Sequence, residues 1–162
     1  MKLKGTIFDF DGTLFDSMSI WDTAGEDYLR SLGCEPSRDL QQQGVKMCIA
    51  TATDRYQIEA ALRRCRMEHY FEDILTCTSV GHSKSEPHIF QAALQRLGTA
   101  KEETLVFEDA LHAVQTAKSA AFPVAAVFDP HESRQDQVRA LADIYLTDFL
   151  TLNFFWKLAS AL

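Results

Sequence analysis

Residues 7–17 of this 162-residue chain read Ile-Phe-Asp-Phe-Asp-Gly-Thr-Leu-Phe-Asp-Ser. The run begins as an apolar strand and ends in two carboxylates, Asp9 and Asp11, set one residue apart. Side chains at positions i and i+2 of an extended chain point the same way, so each carboxylate disfavours the ionisation of the other. A fold tolerates such crowding where a cation binds between the carboxylates or where one of them holds a proton for chemistry. Gly12 suits the sharp exit from the strand, because glycine adopts backbone angles that other residues avoid.

Length and composition predict a single folded domain over residues 1–162. Apolar residues make up 46% of the chain and charged residues 24%, which is typical of globular rather than disordered proteins. The formal net charge of −7 argues against nucleic acid as a partner. An acidic protein that acts on an anionic substrate needs a local positive site, which either a metal ion or a well-placed lysine supplies.

The N-terminus and the cysteines predict a cytoplasmic protein. Met1 leads straight into a strand rather than a signal peptide, and no apolar run reaches membrane-spanning length, so no membrane partner is expected. Cys48 and Cys77 fall within strand-like runs and are interpreted as small buried hydrophobes. We therefore expect a reduced protein in the cytoplasm.

Short apolar runs alternate along the chain with segments of helical period. The predicted strands are Thr6–Phe10, Lys46–Ala50, Ile74–Cys77, Leu105–Phe107, Val124–Val127 and a short edge strand, Ile144–Leu146. The predicted helices are Ser17–Leu32, Asp54–Met67, Pro87–Leu97, Ala110–Ala120 and Glu132–Leu141. The central runs are apolar on both faces, as in a parallel sheet covered by helices on both sides. The alternation predicts a doubly wound, Rossmann-like α/β domain.

Polar side chains follow four of the predicted strands. They are Asp9 and Asp11 after the first strand, Thr51 and Thr53 after the second, Lys84 after the third, and Glu108 and Asp109 after the fourth. In an open α/β sheet these strand ends share one edge, and ligands bind in the crevice there. The sequence therefore predicts a single site that combines carboxylates, a hydroxyl and an ammonium group.

These residue types suit phosphoryl transfer. Clustered carboxylates are oxygen ligands of the kind that Mg²⁺ prefers, and an ionised aspartate can attack phosphorus. A second carboxylate can protonate the leaving oxygen and later take a proton from water. A hydroxyl and a lysine can hold the phosphoryl oxygens during transfer. Proton abstraction and glycoside hydrolysis fit less well, since a glycosidase needs neither the lysine nor the turn at Gly12.

The motifs resemble those of the haloacid dehalogenase superfamily, in the branch of small phosphatases and β-phosphoglucomutase-like enzymes. Residues 8–17 match its first motif, residues 49–51 its second, Lys84 its third and residues 107–109 its fourth. The matches occur in the family's order. The third motif departs from the usual Lys-Pro pair, because Lys84 is followed by Ser-Glu-Pro.

The resemblance implies a role for each of these residues. Asp9 would be the nucleophile and a metal ligand, and Asp11 the general acid and base that also lends its backbone carbonyl to Mg²⁺. Thr51 and Lys84 would hold the phosphoryl group. Aspartate at position 9 points to a phosphorylated substrate rather than a halogenated acid. The implied metal ligands are Asp9, Asp11, Asp109 and Glu108.

The resemblance implies a Mg²⁺-dependent phosphatase that acts on a small phosphorylated substrate through an aspartyl-phosphate, with low selectivity. Two alternatives stay open. One is a catalytically weak or inactive module, shortened in its cap, that binds phosphate or a partner. The other is a β-phosphoglucomutase-like phosphomutase, which needs a chamber closed to water.

The segment between the first two motifs is short for this branch, whose members usually insert a helical cap domain there. Residues 17–43 have room for about one helix, which Gly33 would end. We expect a residual cap, either naturally reduced or shortened by splicing or engineering. The apolar tail, residues 149–162, is expected to cover sheet surface bared by the missing helix or to form a homodimer contact.

Simpler interpretations stay open for several of these residues. Thr51 would then cap the helix that opens at Asp54, Lys84 would be a solvated loop lysine, and residues 108–109 would be acidic residues at a helix start. Asp11 would only belong to a turn. The histidines interpreted as surface or helix residues rather than ligands are His82, His88, His112 and His131.

Overall fold

A computed structural model describes residues 2–14 and 40–147 of the protein. The strands are β1 Gly5–Phe8, β2 Lys46–Thr51, β3 Asp73–Thr76, β4 Thr104–Glu108, β5 Val124–Val127 and β6 Ile144–Leu146. The α-helices with both ends in these ranges are α1 Arg55–Cys65, α2 Cys77–Val80, α3 His88–Leu97, α4 Leu111–Ser119 and α5 Gln135–Leu141. Residues 40–42 are also helical. The strands form one six-stranded sheet in the order β3-β2-β1-β4-β5-β6, and all neighbours are parallel.

Helices cover both faces of the sheet. Ile7 of β1 belongs to a buried apolar cluster with Ile89 of α3 and Val114 of α4. Side chains alternate along a strand, so its neighbours point to the opposite face. There Ile49 of β2 shares a cluster with Ile58 of α1. The prediction of a doubly wound, Rossmann-like α/β domain is confirmed.

The strand order reverses beside β1. The chain continues from β1 to β2 and β3 on one side, whereas β4, β5 and β6 lie on the other. Such a reversal opens a crevice at the carboxyl ends of the two central strands, and this is where doubly wound folds bind their ligands. The residues that follow β1 and β4 therefore lie at the fold's natural binding site.

The predicted strands are all present: β5 and β6 have the predicted bounds, and the bounds of the other four shift by at most two residues. The assignment of Cys77 to a strand is wrong, because Cys77 begins α2, a one-turn helix that was not predicted. Thr76 caps this helix: its hydroxyl accepts a hydrogen bond from the Ser79 amide, and the Ser79 hydroxyl accepts one from the Thr76 amide, each at 3.0 Å. This reciprocal pair favours a helix start over a longer strand.

The last predicted helix begins three residues late, at Gln135 rather than Glu132. The Glu132 carboxylate accepts hydrogen bonds from the amide of Leu111 at 3.1 Å and from the amide of Arg134 at 2.9 Å. Hydrogen bonds from Arg134 outweigh burial and lower the pKa of Glu132 to about 2. The carboxylate thus stays ionised and accepts a hydrogen bond from the first turn of α4. This contact holds Glu132 outside α5.

Several predictions lie outside the described residues. They concern the helix Ser17–Leu32, most of the residual cap at residues 17–43, and the apolar tail at residues 149–162 with its homodimer contact. Within residues 2–14 and 40–147, no helix combines the length and apolar character that a membrane crossing requires.

Truncation of Ile89 should destabilise the fold strongly, because this side chain is fully buried between α3 and the sheet. We expect Ile89→Ala to lower the free energy of unfolding by about 2–5 kcal/mol in urea titrations. Gln95→Ala, at an exposed position of the same helix, should change it by less than about 0.5 kcal/mol. Equal effects of the two substitutions would contradict this packing.

Candidate active site

The pairing of β1 with β4 sets the position of two carboxylates. Phe8 lies opposite Phe107, and their rings stack with centroids 4.4 Å apart and planes 16° from parallel. The Asp9 amide donates a hydrogen bond of 2.9 Å to the Phe107 carbonyl, which extends the ladder one residue beyond β1. Alternation along the strands then directs Asp9 and Glu108 away from the face of the stacked rings, toward the face that α3 covers.

Lys84 bridges these two carboxylates. Its Nζ lies 2.6 Å from Asp9 Oδ1 and 2.5 Å from Glu108 Oε1. The lysine is only 5% exposed, so its interpretation as a solvated loop residue is wrong. Burial alone would lower the pKa of Lys84, but the two carboxylates outweigh burial and raise it above the ordinary lysine value. The ammonium group therefore stays charged inside the site.

A third carboxylate, that of Asp109, completes the cluster. Asp9, Glu108 and Asp109 each offer an oxygen, and these oxygens lie within 4.8 Å of one another. Burial raises the pKa of Glu108 to about 8, although Lys84 opposes the shift. Burial and the nearby Asp9 likewise raise the pKa of Asp109 to about 7. When all three carboxyl groups are ionised, the cluster holds more negative charge than Lys84 alone can balance.

The donor set of this cluster fits Mg²⁺. All the donors are carboxylate oxygens, which are the hard ligands that this ion prefers. Among the described residues, no hydrogen-bond donor reaches the buried Oε2 of Glu108. A buried carboxylate oxygen without a donor is costly unless a proton or a cation satisfies it. A divalent cation here would also offset the charge that the lysine leaves unbalanced.

The turn after β1 wraps closely around Asp109. The Thr13 hydroxyl donates a hydrogen bond of 2.9 Å to Asp109 Oδ1. A Cβ on Gly12 would lie 2.6 Å from Asp109 Oδ2, and Gly12 has a φ of +80°. Only glycine fits this close approach with this backbone angle. The contact of Thr13 with Asp109 was not predicted, although Thr13 lies inside the first motif.

Thr51 and Asp11 lie at the same edge of the sheet but outside this cluster. Thr51 is buried at the end of β2, and its hydroxyl accepts a hydrogen bond of 3.2 Å from the Thr53 amide. The interpretation of Thr51 as a helix cap is wrong, because Asp54 is the N-cap residue of α1. Asp11 lies half-buried in the turn after β1.

Glu108 and Asp109 do not form a helix-start pair. Glu108 is the last residue of β4, and α4 begins only at Leu111, after Ala110 as its N-cap residue. Glu108 is fully buried and Asp109 is 7% exposed. Their placement follows from the strand end and the crevice beside it, as the motif predicts.

The family model described as haloacid dehalogenase-like hydrolase matches residues 38–127, more than half of the chain. The chain belongs to this family. Its fold and the strand-end placement of its acidic residues agree with that assignment.

Known proteins resemble this family member in sequence and in fold. Pyrophosphatase PpaX from Bacillus cereus is 32% identical over 72% of this chain, and the chain spans 51% of the length of that relative. The structure of CbbY from Rhodobacter sphaeroides in complex with phosphate has a TM-score of 0.74 and 19% identity, and covers 93% of this chain and 96% of CbbY. A β-phosphoglucomutase from Clostridium difficile has a TM-score of 0.65 and 16% identity, and covers 82% and 55% of the two chains. These last two likenesses show the fold alone.

Without divalent cations, the stability of the protein should fall as the pH rises. Glu108 and Asp109 have folded-state pKa values raised to about 8 and about 7, from 4.5 and 3.8. The folded chain therefore holds more protons than the unfolded chain between about pH 4 and pH 8, and loses this advantage as the two groups ionise. Urea titrations in EDTA should show a smaller free energy of unfolding at each step toward pH 8.

Substitution of Asp109 should flatten this pH dependence. Asp109→Asn removes one titrating group, which reduces the slope by up to about 1.4 kcal/mol per pH unit. Glu102→Gln, at an exposed position before β4, should keep the wild-type slope. A slope that is the same in Asp109→Asn and the wild type would exclude Asp109 as a source of the effect.

Alanine at Gly12 should be more harmful than alanine at another glycine of positive φ. Gly44 has a φ of +73°, but its Cβ would meet nothing within 4 Å, whereas Gly12 faces Asp109. Both substitutions introduce backbone strain of about 1–3 kcal/mol, and only Gly12→Ala adds a steric clash with the Asp109 carboxylate. In urea titrations, Gly12→Ala should therefore lower the free energy of unfolding by more than Gly44→Ala. Equal losses would refute the close approach.

Proposed function

We propose that this protein is a Mg²⁺-dependent phosphatase that hydrolyses phosphoric monoesters through an aspartyl-phosphate on Asp9. One observation carries the proposal: Asp9 contacts a buried lysine and lies beside two further carboxylates. Lys84 Nζ is 2.6 Å from Asp9 Oδ1, and oxygens of Glu108 and Asp109 lie within 4.8 Å of Asp9. This is an aspartate held next to a fixed positive charge and a potential cation site, as nucleophilic attack on a phosphate requires.

Asp9, Glu108 and Asp109 would hold the metal ion, and Asp11 would add its backbone carbonyl. When bound, Mg²⁺ supplies positive charge that draws the substrate phosphate toward Asp9 and lowers the repulsion between the two anions. Thr13 would keep Asp109 oriented for this role through its 2.9 Å hydrogen bond. Positioning of ligands by such outer contacts is general in metal sites.

The reaction would proceed in two steps. A carboxylate oxygen of Asp9 bonds to phosphorus, the bond from phosphorus to the leaving oxygen breaks, and Asp11 gives its proton to that oxygen. A water molecule then attacks the phosphorus of the aspartyl-phosphate and passes a proton to Asp11. The bond between Asp9 and phosphorus breaks, which releases phosphate and restores both carboxyl groups.

Lys84 and Thr51 would stabilise the transferring group. The buried ammonium of Lys84 already contacts Asp9, so it is placed to bind a phosphoryl oxygen during attack. Thr51 lies at the end of β2, the strand next to β1, where its hydroxyl can donate to a second phosphoryl oxygen. Both residues are fixed before substrate binds, because both are buried.

The site and the relatives support a proposal for the substrate class. The expected residual cap would leave the site open, so we propose low selectivity among small phosphate esters. Pyrophosphate is a second candidate, since the curated relative from Bacillus cereus is a pyrophosphatase. The same two steps would hydrolyse it, with phosphate rather than an alcohol as the leaving group. An open site disfavours a phosphomutase, which must protect its aspartyl-phosphate from water.

Purified protein should release phosphate from p-nitrophenyl phosphate, from small sugar phosphates and from pyrophosphate in the presence of Mg²⁺. Asp9→Asn should reduce release to background, because an amide is a poor nucleophile, and chelation of Mg²⁺ with EDTA should do the same. Glu102→Gln, an exposed position on the opposite edge of the sheet, should keep wild-type rates. Intact-protein mass spectrometry should detect one added phosphoryl group in the wild type but not in Asp9→Asn.

Other results would favour the alternatives. No release from any of these compounds, with phosphate still bound, would indicate a binding module. Strong preference for one sugar phosphate, with isomer as the product, would indicate a phosphomutase. Strong preference for pyrophosphate over every ester would replace the proposed monoester specificity.

A further inference from the structure

We propose that His82, Glu86 and His88 form a second metal site, which binds a divalent transition-metal ion of the Zn²⁺ class. The Nδ1 atoms of His82 and His88 lie 3.1 Å and 3.4 Å from the same oxygen, Oε2 of Glu86. One possible ligand atom from each of the three side chains lies within 4.8 Å of the other two. Two of the histidines that the sequence assigns to the surface thus converge with a carboxylate.

The distances between the possible ligand atoms suit an ion with tetrahedral coordination. Zinc binds histidine nitrogen at about 2.0–2.1 Å and carboxylate oxygen at about 2.0–2.2 Å, so two ligand atoms on one tetrahedral zinc are about 3.4 Å apart. The two distances from Glu86 Oε2, 3.1 Å and 3.4 Å, are close to this value before either ring turns. The three side chains are 41%, 53% and 45% exposed, so water has access to a fourth position.

The imidazole rings must turn before both bind one ion. They are stacked, with centroids 3.8 Å apart and planes 14° from parallel, and a ring nitrogen binds metal in the plane of its ring. The outer torsion of histidine has a broad, shallow preference, and both rings are half exposed, so they can rotate about χ2 at little cost. A rotation that turns the Nδ1 lone pairs of His82 and His88 toward Oε2 of Glu86 would complete the site.

The backbone holds the three ligands close together in advance. Gly81 ends α2 with a φ of +79°, and His88 is the first residue of α3. Between them, the Glu86 amide donates a hydrogen bond of 3.2 Å to the Ser83 carbonyl. A short segment fixed at both ends by helices loses little freedom when it binds an ion.

This site is chemically distinct from the carboxylate cluster. Lys84 lies between His82 and Glu86 in sequence, but its side chain is buried against Asp9, whereas the histidine side chains face solvent. A set of two nitrogens and one oxygen favours ions such as Zn²⁺, Ni²⁺ or Cu²⁺. An all-oxygen set favours Mg²⁺. Excess Mg²⁺ should therefore leave the histidine site available to zinc.

Equilibrium dialysis of the metal-free full chain against micromolar zinc chloride, with excess magnesium chloride, tests the proposal. Wild type should retain one more zinc ion per chain than His88→Gln, and the substitution should weaken zinc binding at least about tenfold. His112→Gln, at an exposed histidine of α4 outside the cluster, should retain wild-type binding. Zinc held by the carboxylate cluster is common to all three proteins and cancels in the comparison.

A second measurement needs no substitution. In ¹⁵N spectra of the imidazoles of the wild type, zinc should shift the Nδ1 signals of His82 and His88 and leave those of His112 unchanged. Equal zinc content in the wild type and His88→Gln, or unchanged signals of His82 and His88, would overturn the proposal. Neither result depends on phosphatase activity, so the proposal stands or falls independently of the catalytic one.

Discussion

The parallel pairing of β1 with β4 is the constraint on which the rest of the site depends. Phe8 and Phe107 are register partners with stacked rings, and the Asp9 amide continues the hydrogen-bond ladder to the Phe107 carbonyl. Any slip of this register by one residue would turn Asp9 or Glu108 to the opposite face of the sheet. Two acidic side chains are thus brought together by apolar stacking and backbone hydrogen bonds, against their own repulsion.

Acidic groups outnumber basic groups among the described residues of the site. Asp9 and Glu108 both contact the buried ammonium of Lys84, and Asp109 lies beside these two carboxylates. Burial raises the pKa values of Glu108 and Asp109, so the site binds protons readily when no cation is present. Protons and a divalent cation therefore compete for the same oxygens. This competition links the stability of the fold to the chemistry proposed for it, because the same carboxylates govern both.

The sequence predicted much of the fold because its signals are local. The alternation of apolar runs with segments of helical period predicted the bounds of every strand to within two residues. The prediction failed where a second local interaction competed with the strand pattern. The reciprocal hydrogen bonds of Thr76 and Ser79 make Cys77 the first residue of a helix. Likewise, the Glu132 carboxylate bonds to Leu111, twenty-one residues away in sequence, which no periodicity reveals.

By itself, the sequence determined the succession of strands and helices along the chain and the residue types at the strand ends. Hydrophobic period and motif are properties of neighbouring residues, so both can be found in the sequence. Only the tertiary structure decided which of those groups touch. The Thr13 hydroxyl meets an Asp109 oxygen across 96 residues of chain, and Lys84 meets Glu108 across 24. Such contacts depend on strand order and register, which bring distant segments within bonding distance, and a spacing along the chain does not encode them.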